Sequence, residues 1–265
     1  MQINKKFMAA FNKRPKLNDK DYIFGTRAVI EAIHAGKEMD NIYIDKDVRN
    51  ELVSELMDLC KEQKVPYTKV PIEKLNRITM KNHQGVIAMV SAVSYASLDN
   101  VINEAYAKGK DPLILVLDRV TDVRNFGAIA RSAECAGVDA IVIPFKGSAQ
   151  INSDAVKTSA GALHYIPVCR ENSLKNTVEY LQKSGLQVVA CTEKGKDLIY
   201  DTPMALPLAI ILGSEEDGIS NDLIRTANFL AKIPIAGKIA SLNVSVSAAI
   251  AIFEAVRQRS IISNS

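Results

Sequence analysis

The sequence predicts an α/β protein built around a mostly parallel sheet with helices on both faces, preceded by a smaller α/β unit. Three observations carry this. Aliphatic runs such as LILVL at 113–117 and LPLAIIL at 206–212 read as strands buried on both sides, as parallel strands are. Such runs alternate with helical stretches, the pattern that places parallel strands side by side. The chain is 48% hydrophobic but only 6% aromatic and has no Trp, so the core is built from Val, Ile, Leu and Ala. Its 265 residues suffice for two ordinary domains with real cores.

Taken in order, residues 1–20 read as a basic, disordered tail. Lys5, Lys6, Lys13, Arg14, Lys16 and Lys20 face only Asp19 there. Such a tail is either simply solvated or attracts phosphate. A first domain occupies 21–93. Thr26 can cap a helix from Arg27 to Ala35, which Gly36 ends. A strand over 41–44 precedes an amphipathic helix over 48–63, with Leu52, Val53, Leu56, Leu59 and Cys60 at helical spacing. Residues 66–70 read as a strand, Pro71 opens a short helix as its first residue, and 86–93 read as a strand. The polar stretch 94–111, with a helix over 98–107, reads as a connector.

The second domain spans 112–265. A strand at 113–117 is followed by a loop over 118–127 and a helix over 128–136 ended by Gly137. Further strands lie at 140–143, 165–168, 187–191, 206–212 and 229–233. Helices intervene at 153–159, with Ser153 as cap, and at 174–184. A short helix from Ser220 precedes the last strand. A long helix starts near Asn243 with an apolar face of Val246, Ile250, Phe253 and Val256.

Ligands of parallel α/β sheets bind outside the carboxyl ends of the strands. The loop after each strand is therefore the place to look for chemistry. Three such loops are rich in Gly, Ser, Asn, Arg or Glu: DRVTDVRNFG, GSEEDGIS and PIAGKIASLN. Each has a plain structural reading. Asn125 or Asn243 can cap a helix, Glu215 can offset the dipole of the Ser220 helix, and Arg131 can join an ion pair. Convergence of all three loops on one edge favours a binding site instead. No G-x-G-x-x-G follows a strand, no phosphate-loop motif is present, and His34, His83 and His164 lie outside these loops. The four cysteines, Cys60, Cys135, Cys169 and Cys191, form no C-x-x-C pair and no metal set. They are expected as free thiols, three of them in apolar runs. No apolar leader and no membrane-length run is visible, so a soluble cytoplasmic protein with no metal and no membrane partner is expected.

At these loops the sequence resembles the SpoU (TrmH-like) family of RNA ribose 2′-O-methyltransferases. The resemblance rests on Asn125 followed six residues later by Arg131 in NFGAIARSAECAG, on ILGSEEDG, and on IPIAGKIASLNVSVSAAI. It covers the whole second domain. Glu216 departs from it, standing where the family usually has Gly. FGTRAVIEAIHAG and HQGVIAMVSAVSY are similar to the RNA-binding extension of members acting on 23S ribosomal RNA guanosine. The resemblance implies a SPOUT trefoil-knot methyltransferase domain, a ribosomal-protein L30e-like RNA-binding domain, and a homodimer with its active site at the interface. It implies S-adenosylmethionine as methyl donor, with Gly213, Ile233 and Leu242 in backbone contact with it. It carries Asn125, Arg131, Glu215, Ser241 and Asn243 to the catalytic pocket. A tRNA 2′-O-methyltransferase and a catalytically silent RNA-binding protein of the same fold stand as alternatives.

Overall fold

The computed structural model describes residues 21–263, and the basic tail read over 1–20 lies outside them. The chain divides into two compact units, Met1–Val90 and Ser91–Ser265.

In the first unit, β1 (Tyr22–Phe24), β2 (Met39–Asp45), β3 (Tyr67–Val70) and β4 (Val86–Val90) form a sheet in the order β1-β4-β2-β3. β4 runs antiparallel to β1 and β2, while β2 and β3 are parallel. Alternate residues of a strand face opposite sides. Val86 and Ala88 accordingly pack under α1 (Thr26–His34) and α2 (Glu51–Glu62). Ile87 and Met89 join Leu75 of α3 (Ile72–Ile78) on the other side. Thr26 does not cap α1. It lies buried within the helix, whose cap residue is Gly25 at φ 90°, a conformation glycine tolerates. Asn50 caps α2 by accepting the Val53 N–H at 2.9 Å.

In the second unit, eight strands are all parallel, in the order β10-β12-β9-β11-β6-β7-β8-β5. They are β5 (Tyr95–Ala96), β6 (Leu113–Asp118), β7 (Ala140–Pro144), β8 (Val168–Glu171), β9 (Gln187–Cys191), β10 (Asp197–Leu198), β11 (Leu208–Gly213) and β12 (Phe229–Lys232). The expected strand at 165–168 is displaced to β8, because residues 162–164 form a 3-10 turn. The stretch read as a connector belongs to this unit. β5 pairs with β8, and Leu98 and Ile102 of α4 (Leu98–Ala107) are buried against the sheet. One apolar turn of that helix outweighs its polar content.

The two sheet faces sort their side chains by parity. Leu113, Leu115 and Leu117 of β6 pack beneath α5 (Val123–Cys135), α6 (Ser153–Thr158) and α9 (Val244–Ser263). Ile114 and Val116 pack beneath α4, α7 (Leu174–Lys183) and α8 (Asn221–Thr226). Among the described residues no helix is long and apolar enough to cross a membrane.

Three helices differ from expectation, two of them, α5 and α9, in ways that matter for the site. α5 begins five residues early, because Asp122 caps it by accepting the Asn125 N–H at 2.7 Å. Asn152, not Ser153, caps α6. The apolar face of α9 read from the sequence lies toward the outside, with Ile250 and Val256 half-buried. Val244, Ala248, Ala251, Ile252 and Ala255 are buried, while Val246 is 47% and Phe253 48% exposed. Small side chains let α9 approach α5 closely and leave the bulky ones outside.

Gly127 marks the matching contact between α5 and α6. A Cβ there would stand 2.7 Å from Thr158 Cβ and 2.9 Å from the Ala155 carbonyl oxygen. Gly127→Ala is therefore expected to force the helices apart, at about 1–3 kcal/mol for overpacking. Thermal unfolding followed by circular dichroism should fall by roughly 2–10 °C. An unchanged midpoint would show the contact to be slack.

Candidate functional site

Because β6, β9, β11 and β12 run parallel, their carboxyl ends and the loops after them share one edge of the sheet. A cavity of 380 Å³ opens there. Its apolar lining includes Leu212, Ile219, Ile233 and Leu242, and its polar lining includes Thr192, Glu193, Ser241 and Ser247. A second cavity of 370 Å³ is lined by Thr121, Asp122, Asn125 and Gly147. Ser214, Glu215, Glu216, Asp217 and Val244 line both.

Glu215 links the three predicted loops. Its Oε1 accepts the Asn125 side-chain N–H at 3.1 Å and the Val244 backbone N–H at 3.2 Å, and a third bond comes from the Asn243 amide. Asn243 also donates to Asn125 Oδ1 at 3.0 Å. Asn243 is a cap as well: its Oδ1 accepts the Ser245 N–H at 2.9 Å. The capping and site readings of Asn243 therefore hold together. Glu215 does satisfy a helix N-terminus, but that of α9 instead of α8. Asn125 has its side chain free for this cluster because Asp122 has taken over the cap.

The turn that carries Glu215 folds back on itself. The Gly218 N–H bonds to the Ser214 carbonyl at 3.0 Å, and the Asp217 N–H to Ser214 Oγ at 3.1 Å. Gly213 lies so close to Gly218 that a Cβ on it would stand 2.1 Å from the Gly218 carbonyl carbon. Only glycine fits there. Glu216 sits exposed on this turn and leaves Glu215 engaged. Arg119, directly after β6, bonds to Asp118, Asp217 and the Gly218 carbonyl. The Asp118 carboxylate holds its guanidinium above the usual arginine value. The buried Asp118 in turn accepts the Ser220 N–H at 2.7 Å.

Of the predicted site residues, Asn125, Glu215 and Asn243 form one hydrogen-bonded cluster, and Gly213, Ile233, Ser241 and Leu242 line the first cavity. Arg131 stands apart. Six helical residues carry it about 9 Å along α5 and roughly 240° around from Asn125. It is exposed and has no hydrogen-bond or ion-pair partner among the described residues. Sequence reasoning missed Asp118, Arg119 and the loop after β9, which brings Thr192 and Glu193 to the cavity. The strand-end position of Asp118 was a usable signal, and the same edge rule applied to β9 pointed to Thr192. His83 is structural: its Nε2 stands 3.0 Å from Asn76 Oδ1, and its Nδ1 accepts the Gly85 N–H.

The cavity has the size and character of a small-ligand pocket. Pockets for such ligands span about 300–1,000 Å³ and combine apolar walls with a few polar groups. Among the described residues no group of His, Cys, Asp or Glu is arranged to hold a metal.

Residues 112–253 match the SpoU rRNA methylase family, and residues 22–96 match a domain described as RNA 2′-O ribose methyltransferase substrate binding. A Bacillus subtilis (strain 168) protein named for the TrmH family of tRNA/rRNA methyltransferases is 33% identical over 239 residues, covering 90% of this chain and 96% of that one. An AdoMet-bound rRNA methyltransferase structure from Sinorhizobium meliloti is 25% identical, with a TM-score of 0.57 over 89% of this chain and 86% of that one. The TrmH/SpoU tRNA modifying enzyme of A. aeolicus shares the fold at 24% identity and a TM-score of 0.53, covering 62% of this chain and 86% of that one.

The cysteines give a direct check of the cavity wall. Cys60 and Cys169 are buried, Cys191 at the cavity is half-buried, and Cys135 is exposed. Burial pushes the Cys60 thiol up to about 11 and the Cys169 and Cys191 thiols up to about 12. All three therefore stay protonated at pH 8 and resist thiol reagents. An aromatic disulfide reagent should react quickly with one thiol per chain, and Cys135→Ser should abolish that phase. Fast labelling of Cys191 would mean that the cavity wall is open.

Proposed function

The chain belongs to the SpoU rRNA methylase family, and on that premise we propose that it methylates a ribose 2′-hydroxyl of RNA, at a guanosine of 23S ribosomal RNA, with S-adenosylmethionine as donor. The single observation that carries this is the Asn125–Glu215–Asn243 cluster, whose Glu215 lines the 380 Å³ cavity. S-adenosylmethionine supplies an electrophilic methyl group on a sulfonium. Gly213, Ile233 and Leu242, which line the cavity, would hold it through their backbone.

The residues of the chain then have to orient and deprotonate a hydroxyl. Alignment of two reactants is itself a large part of such a barrier. Asn125 and Asn243 fix Glu215 through Oε1, and Oε2 is left without a hydrogen-bond partner among the described residues. That oxygen, or water, would take the proton. A guanidinium stays protonated at neutral pH, so Arg131 acts as a cation that stabilises the developing oxyanion, not as a base. Ser241 lines the same cavity as Glu215.

Arg131 lies apart from the cluster within one chain, and this supports a homodimer whose second copy completes the site. The outer face of α9 supports the same reading. Val246 and Phe253 are about half exposed on a helix that packs against α5, which carries Arg131. Such a patch is what a second subunit would cover. The first unit would bind RNA, as its match over residues 22–96 supports. Its four-stranded sheet with helices on both faces supports an L30e-like fold. The proposal includes a trefoil knot in the second unit and a cytoplasmic enzyme needing no metal.

The test is methyl transfer from labelled S-adenosylmethionine to unmodified large-subunit ribosomal RNA and to tRNA, with the product mapped by its alkali-resistant ribose. Label on a ribosomal guanosine is expected. Label confined to tRNA would move the substrate. No transfer and no cofactor binding would leave a silent RNA-binding protein. Arg131→Lys should retain cofactor binding and lose at least about 100-fold in turnover. Mixing Arg131→Ala with Asn243→Ala protomers should restore about a quarter of normal activity through two-fold-symmetric heterodimers. No recovery would place both groups in one chain's site.

A further inference from the structure

Arg119 has a backbone that its side chain does not favour. Its φ is 58°, in the left-handed region where long side chains are uncommon. Such conformations persist where surrounding contacts over-determine them, and they concentrate at functional positions. The contacts here are explicit. Nε donates to Asp118 Oδ1 at 3.1 Å and Nη2 to Asp118 Oδ2 at 3.4 Å. Nη1 donates to Asp217 Oδ2 at 3.1 Å, and Nη2 donates also to the Gly218 carbonyl at 3.1 Å. One planar fork thus ties the end of β6 to residues 98 and 99 positions further along the chain.

We propose that Arg119 is a positioning residue that locks the 214–218 turn in place, so that Glu215 meets Asn125, Asn243 and the N-terminus of α9 with its cavity already formed. This rests on the reading of that cavity as the methyl-donor pocket. Besides the Glu215 bonds that the turn has to present, Arg119 is what ties it to the end of β6. Its internal bonds run from Ser214 to Asp217 and Gly218 and do not fix it to the sheet. Ser220 is fixed through Asp118, the same carboxylate that grips Arg119. Without the guanidinium, Asp217 loses a cation beside Glu215 and Glu216, and three consecutive carboxylates repel one another on a five-residue turn.

A direct role in gripping an RNA phosphate fits the surroundings less well. The second cavity, which Arg119 also lines, is bordered by four carboxylates, Asp122, Glu215, Glu216 and Asp217, against this one cation. A phosphate placed there would meet net negative charge. Asp118 and Asp217 already engage the guanidinium on two sides.

Arg119→Gly separates the backbone from the side chain. Glycine adopts φ 58° without strain, so any fall in the thermal midpoint reports the lost side-chain contacts alone, including the buried Asp118 carboxylate left without its cation. Amide hydrogen exchange at Asp217, Gly218 and Ser220 should quicken by about tenfold, with β6 unchanged. The KM for S-adenosylmethionine should rise about tenfold while kcat falls less than about threefold. Arg119→Lys should recover part of the affinity, since it restores charge without the fork. Asp217→Asn should add little once Arg119→Gly is present, because the two remove one interaction. Unchanged exchange at 217–220 overturns the proposal, and so does quicker exchange with an unchanged cofactor KM. A loss confined to RNA affinity would overturn it in favour of a phosphate contact. If wild type binds no S-adenosylmethionine, the pocket reading fails, and the positioning role fails with it even where exchange quickens.

Discussion

One carboxylate oxygen, Glu215 Oε1, joins segments that are far apart in sequence. It receives N–H groups from the first turn of α5 and from the start of α9, which lie 90 and 28–29 residues away. The rest of the second unit can be understood as the means of placing that oxygen. A parallel sheet sends every strand end to one edge. Aliphatic layers on both faces keep the strands in fixed register, with Gly213 opposite Asp118. The turn after β11 then needs to bend only a short distance. Two glycines in near contact make that bend possible. Hydrogen bonds to a carboxylate are among the stronger ones, roughly 1.5–3 kcal/mol each when well shielded. This site is partly exposed, so their worth here lies in orientation more than in stability.

Buried strands were the most legible part of the sequence, because double-sided burial leaves a continuous aliphatic run that survives any detail of packing. Strands β6, β9 and β11 fall within two residues of the positions read from such runs. Helix starts were less legible. Thr26, Ser153 and Asn125 were reasonable caps, but Asn152 and Asp122 accept the cap N–H groups of their helices, and Gly25 holds the α1 cap position with no side-chain bond. Neighbouring polar residues compete for one cap position, and the winner depends on the backbone path into the helix. The outward position of the apolar face of α9 was not legible for a related reason. Periodicity identifies an apolar stripe, but it does not say whether the core or a second molecule covers it. Close approach to α5 selected the alanine stripe for the core and left Val246 and Phe253 outside.

The site itself was legible as a set of loops and only in part as a geometry. Strand-end logic brought Asn125, Glu215 and Asn243 together without reference to any relative. It gave no warning that Arg131 faces away, a consequence of the helix beginning at Val123. Nor could it find Arg119, since nothing in that residue announces a left-handed backbone. Arg131 and the outer stripe of α9 are two incomplete features, a cation without a partner and an apolar face without a cover. The proposed second copy of the chain rests on these two features among the described residues.

The most direct measurement is calorimetric titration of S-adenosylmethionine into the full chain and into Glu215→Ala. The account predicts one cofactor per chain for the wild type and an affinity at least about tenfold weaker for the variant, with the fold retained by circular dichroism. Equal affinity in the two proteins would contradict it, because the cofactor pocket would then form without the contact on which its three loops converge.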